Sequence, residues 1–197
     1  MTVNTSGGVR LVGALADGTI VSQSATLSGS GQWPLYLSLY GGKGSVLSWV
    51  TFTNRPADDL NGLLSWIKPA LPRVRYYRAG LTNETLLAGS VYARPIGATN
   101  RVLNLTNGVV VLSGGNLAAI STNSVTLNAP NKVLNLSSNK LALRISLPNG
   151  LFAGSFKDPD SGRTFPLRGA LLQKQGLGSG YLLGTNQSSG VRFEAAP

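Results

Sequence analysis

The chain has 197 residues, and 17 Lys and Arg against 7 Asp and Glu give it a net charge of +10, with no cysteine and no histidine. Those two absences exclude a disulfide framework, a thiolate nucleophile, a zinc-thiolate site and every serine-histidine or cysteine-histidine catalytic arrangement. A hydrophobic content of 42% is too high for a disordered chain, and the length suits one large β domain or two small joined ones.

In chain order, 8–16 (GVRLVGALA) predicts a first strand, Asp17-Gly18 a hairpin turn, and 19–27 the partner strand. After a loop over 28–31, residues 33–40 alternate strictly. Trp33, Leu35, Leu37 and Leu39 point one way, and Pro34, Tyr36, Ser38 and Tyr40 the other, which is the two-residue period of a half-buried strand. Gly41-Gly42-Lys43-Gly44 supplies the turn and 45–52 the return strand. A polar connection over 54–61 leads to a short strand, 62–68, stopped by Pro69 and Pro72. Residues 73–97 show no sustained period, so 54–100 reads as an irregular connection.

From 101 the texture becomes Asn-rich. Val102-Leu103-Asn104-Leu105-Thr106 recurs as Val133-Leu134-Asn135-Leu136-Ser137, and 140–147 alternates with Leu141, Leu143, Ile145 and Leu147 inward. The segment 150–194 then echoes 8–53: Gly154 stands for Gly13, 158–162 for the Asp17-Gly18 turn, and 181–183 for 36–38. The organisation predicted is a single all-β domain over 1–197. Its repeat units, 8–53 and 150–194, bracket central strands at 101–149. An antiparallel barrel with pseudo-twofold hairpin units follows, because closure removes exposed edges. A two-sheet sandwich is the alternative.

One pattern carries a resemblance. Gly-x-Phe-x-Gly, a Thr-x-Pro strand, Leu-x-Gln and Gly-x-Gly-Tyr-x-Leu-Gly run through 150–184, and WPLYLSLYGGKGS opens at Trp33. Together they resemble all-β domains near the C-termini of long secreted proteins of environmental bacteria. The likeness covers the first and last fifty residues and is weaker between. It implies a secreted or cell-surface setting within a longer protein and transfers no active site. The N-terminus, MTVNTSGG, lacks the regions of a signal peptide and reads as the start of an excised domain.

Chemistry has few candidates. Asp58-Asp59 and Asp158-Pro159-Asp160 are close carboxylates, but their Pro and Gly neighbours favour turn and capping roles. Arg73-Val74-Arg75-Tyr76-Tyr77-Arg78 offers forks for anionic groups and rings for stacking, and on a strand Arg73, Arg75 and Tyr77 would share a face. Trp33, Trp49 and Trp66 lie on predicted strands, where an apolar register favours burial. Tyr36 and Tyr40 occupy the register opposite the leucines and are the leading ligand-surface residues, with Trp66, Arg73, Arg75 and Tyr77 completing the predicted set. Catalysis would have to use Tyr with Arg or Lys, or a Schiff base at Lys43 or Lys68. No metal or cofactor motif is present, and no run approaches the ~20 apolar residues of a membrane helix. The charge favours anions, but the scattered bases match no nucleic-acid module.

The function predicted is a non-catalytic interaction domain binding a glycan or anionic polymer. The alternatives are a hydrolase or polysaccharide lyase with a pocket in the barrel, and a structural spacer.

Overall fold

The computed structural model describes residues 1–97 and 99–197. Among the described residues the regular structure is all β, and no helix is long and apolar enough to cross a membrane. The chain divides into two compact units, 1–89 and 90–197, each with its own hydrophobic core.

The first unit is an antiparallel succession of short-range pairings. Strands β1 (Thr2–Val3), β2 (Gly8–Ala14) and β3 (Ile20–Thr26) form one sheet. Strands β4 (Gln32–Leu39), β5 (Gly44–Phe52), β6 (Leu60–Lys68) and β7 (Leu81–Gly89) form a second. The alternation read in β4 is realised: Trp33, Leu35, Leu37 and Leu39 are buried, together with Val46 and Val50 of β5 and Val9 and Val21 of the smaller sheet. Each such side chain contributes about 1.5–3 kcal/mol by leaving water. The turn after β4 begins one residue earlier than the alternation suggests. Tyr40, Gly41 and Gly42 all have positive φ, a conformation that glycine reaches without strain. Tyr40 therefore leaves the outward register of Tyr36 and turns toward the core.

The second unit is a single eight-stranded antiparallel sheet. It consists of β8 (Asn107–Ser113), β9 (Ser121–Asn128), β10 (Lys132–Asn135), β11 (Leu141–Ser146), β12 (Leu151–Lys157), β13 (Thr164–Leu172), β14 (Leu177–Leu183) and β15 (Ser188–Ala195). The spatial order is β10-β9-β8-β15-β14-β13-β12-β11, and β10 and β11 approach one another without pairing, so the sheet nearly closes into a barrel. Its interior is filled by Leu112, Leu127, Phe152, Phe156, Leu167, Leu182 and Phe193.

Two differences from the sequence reading concern regularity. The segment 54–100 contains two nine-residue strands: β6, which includes the predicted strand 62–68, and β7, which the sequence does not predict. β7 carries no period because it is the outermost strand of its sheet and six of its nine residues are exposed, so neither face had to be apolar. Residue 98 of that segment lies outside the described residues. The two Val-Leu-Asn-Leu copies also differ. The second enters β10, while the first forms no strand and inserts Val102, Leu103 and Leu105 into the core, tied by Val102 N–H to Asn131 Oδ1 at 2.7 Å.

Antiparallel hairpins β2–β3 and β4–β5 fall within the first predicted repeat unit, and β12–β13 and β14–β15 within the second. The second set is hydrogen-bonded in one run, whereas β3 and β4 lie in different sheets. Their glycines are not equivalent. A Cβ at Gly154 would run into the carbonyl of Ala142 on β11, while one at Gly13 meets nothing.

Candidate functional site

The outer face of the four-stranded sheet in the first unit carries an apolar row that crosses every strand. Pro34 of β4 pairs with Trp49 of β5, and Leu63 of β6 pairs with Leu86 of β7. The β5–β6 register, set by Leu47 opposite Ser65 and Thr51 opposite Asn61, places Trp49 opposite Leu63. At strand spacing near 4.8 Å this row is roughly 14 Å long. A second row beside it runs from Tyr36 to Leu47, Ser65 and Glu84. Trp49 is 65% exposed and Tyr36 59%, with Leu63 and Leu86 also exposed. Pro34, Tyr36, Leu47, Trp49 and Leu63 line a shallow depression of about 420 Å³.

Few charges border it. Ser38 and Ser45 pair with each other in the same register, and Ser65 Oγ donates to Glu84 Oε1 at 2.9 Å. The close approach of β5 and β6 beneath the row depends on Gly62, where a Cβ would meet the Trp49 carbonyl at 2.7 Å. Two large rings and several aliphatic side chains held on a rigid sheet offer stacking surface at low entropic cost.

Of the six predicted site residues, only Tyr36 lies on this face, in the second row. Tyr40, Trp66 and Tyr77 are brought together instead at the edge of the core. Tyr40 OH donates to Asp17 Oδ2 at 2.7 Å and accepts from Trp66 Nε1 at 3.1 Å, and Trp66 meets Tyr77 edge to face at 6.1 Å. Lys68 Nζ lies 2.6 Å from the same Asp17 oxygen and 4.7 Å from the centre of the Tyr40 ring. The side chains of Lys68 and Asp17 are only 3% and 1% exposed. Burial opposes charge on Asp17, but hydrogen bonds from Lys68, Thr19 and Tyr40 outweigh it and hold the carboxyl below its usual range. Burial, reinforced by Asp17, pushes the Tyr40 phenol well above its ordinary value.

Arg73 and Arg75 are exposed, on a segment of turns and bends and not on a strand. Tyr77 has a positive φ there and faces inward, so the shared face expected of Arg73, Arg75 and Tyr77 does not form. Arg75 stacks on the neighbouring Tyr76 ring at 5.1 Å. The carboxylates Asp58 and Asp158 serve turns. Asp58 accepts from Asn61, and Asp158 accepts from the backbone and hydroxyl of Ser161.

Trp49 is the residue that sequence reasoning missed. Both registers of β5 are apolar, so alternation within that strand does not choose an inward face. The signal lay in the partner strand: once the turn sets the hairpin register, Trp49 falls opposite outward-pointing Pro34.

In the second unit the outward register carries charge. Arg144 pairs with Ala153, Ala153 with Arg168, and Arg168 with Tyr181, a row over four adjacent strands in which Arg144, Ala153 and Arg168 are exposed. Residues 90–197 hold ten Lys and Arg against three Asp and Glu, and residues 1–89 seven against four. Comparison with known proteins finds no matching family, no matching curated protein and no matching solved structure.

Proposed function

We propose that the chain is a non-catalytic interaction domain of a secreted or cell-surface bacterial protein, and that it binds a glycan on the outer sheet face around Trp49 and Tyr36, which stand in adjacent rows. The observation that carries this reading is the pair of rings, both more than half exposed, on adjacent strands of one rigid sheet. Sugar rings present C–H faces that stack on aromatic surfaces, and the serine hydroxyls in the same register suit a polar rim. The weak charge around the row favours a neutral glycan there over a polyanion.

A glycan array probed with the full chain tests it. Trp49→Ala and Tyr36→Ala should each weaken binding roughly tenfold, the equivalent of about 1.4 kcal/mol. A blank array, or undiminished binding by both variants, would refute the reading.

A second reading, an anionic polymer, is favoured by the Arg144–Arg168 row on the second unit. Binding there should weaken steeply with salt, because exposed charges beyond about 8–10 Å are screened at physiological ionic strength. Binding to the aromatic row should not.

A further inference from the structure

The Asp17–Lys68 contact is unusual for a surface-forming β domain. An amine and a carboxylate 51 residues apart in sequence meet at 2.6 Å with almost no exposure to water. Asp17 sits in the turn between β2 and β3, and Lys68 ends β6. Each carboxylate oxygen has its own donor. Oδ1 accepts the backbone N–H of Thr19 at 2.9 Å, and Oδ2 accepts the Tyr40 hydroxyl at 2.7 Å. Tyr40 is itself oriented by Trp66 Nε1.

We propose that Lys68 and Asp17 condense into an intramolecular isopeptide amide, a covalent cross-link joining β6 to the β2–β3 turn. Burial opposes charge on both groups, although the hydrogen bonds to Asp17 still favour its carboxylate, so the opening proton transfer is an uphill step made possible by direct contact. A proton passes from Lys68 Nζ to Asp17 Oδ2, giving a free amine and a carboxylic acid. The amine lone pair adds to Cγ, forming the C–N bond, and the developing oxyanion on Oδ1 stays on the Thr19 N–H. A second proton travels from Nζ through the Tyr40 hydroxyl to Oδ2. The Cγ–Oδ2 bond then breaks and Oδ2 leaves as water. Three hydrogens on the ammonium become one on the amide and two on the water, and nothing is oxidised or reduced. Holding both groups in contact makes the step unimolecular, the condition under which such reactions gain most.

The test is the intact mass of the purified full-length chain under denaturing conditions. The expected result is a mass one water below that of the sequence. Trypsin does not cut before Pro56 or Pro69, so the digest should contain peptide 11–43 joined to peptide 44–73. Lys68→Arg, which keeps the charge, should restore the full mass and separate the peptides. Tyr40→Phe should slow conversion by about a hundredfold or more if the phenol relays the proton. A wild-type chain at its full sequence mass, with the two peptides separate, would overturn the proposal and leave an ion pair only. Because the wild-type mass decides alone, a variant that fails to fold does not blur the outcome.

Discussion

The two units differ in which ionic and aromatic side chains they bury and which they expose. The first buries an aspartate and a lysine against Tyr40 and Trp66, and leaves Trp49, Leu63 and Leu86 in water. The second fills its barrel with leucine and phenylalanine and carries exposed arginines on the outward register of β11 and β13. The second arrangement is what stability alone would select. Burying an ion pair is commonly no better than burying well-packed apolar groups, and exposing a tryptophan forfeits its transfer energy. The buried ion pair and the exposed tryptophan of 1–89 therefore mark residues to examine for function, and the apolar interior of the barrel serves as the internal control.

The largest expected effect tests whether the buried pair matters to the first unit. Asp17→Ala strands Lys68 without a partner and should cost about 3–5 kcal/mol, with about 4 kcal/mol more if closure of the 51-residue loop by a cross-link is also lost. Phe193→Ala in the barrel should cost about 3–5 kcal/mol by opening a cavity. Urea titrations of the two variants check both. A loss under about 1 kcal/mol for Asp17→Ala would remove the contrast between the interiors.

Next comes Gly154→Ala, whose Cβ collides with the Ala142 carbonyl and should destabilise by more than about 2 kcal/mol. Gly13→Ala, with open space around it, should change stability by under about 1 kcal/mol and can raise it by restricting the unfolded chain. Equal effects would mean the repeated hairpins share more than their order.

Alkaline pH sharpens the comparison of buried phenols. Tyr40 has a raised value in the fold, so its contribution is intact below the ordinary tyrosine range near 10 and is lost as pH rises through and above it. Tyr92 in the second unit is raised by burial too, with Arg94 opposing the shift. Unfolding midpoints should fall with pH once it rises through about 10, and Tyr40→Phe should flatten that fall. The smallest stability effect belongs to Trp49→Ala, within about 0.5 kcal/mol, although it is the variant expected to lose glycan binding.

Sequence made the strands legible wherever one face had to be dry. The leucine registers of β4 and β11 and the hairpins around them could be read from alternation alone; that the nearly closed sheet draws its strands from 90–197 alone could not. It failed where burial did not impose a period. β7 is exposed on both faces, and the first Val-Leu-Asn-Leu copy enters the core without being a strand. Within the site, Tyr36 was readable from its strand. Tyr40 was misplaced because a single positive φ reverses a side chain without any residue change to announce it. Trp49 required the register of a neighbouring strand, and the Asp17–Lys68 contact joins residues too distant for any local pattern.

The pairing of β15 with β8 sets the order in which the chain can acquire structure. In the first unit every hydrogen-bonded neighbour is also a neighbour in sequence, so each strand finds its partner as soon as it leaves the ribosome. In the second, Ser113 must wait for Gly190, and Gly108 for Ala195. Until β15 has been synthesised, β8–β9–β10 and β11–β14 are two open ribbons with unsatisfied edges. A nascent chain stalled before residue 188 should therefore hold a protease-resistant first unit joined to a second that proteases still digest.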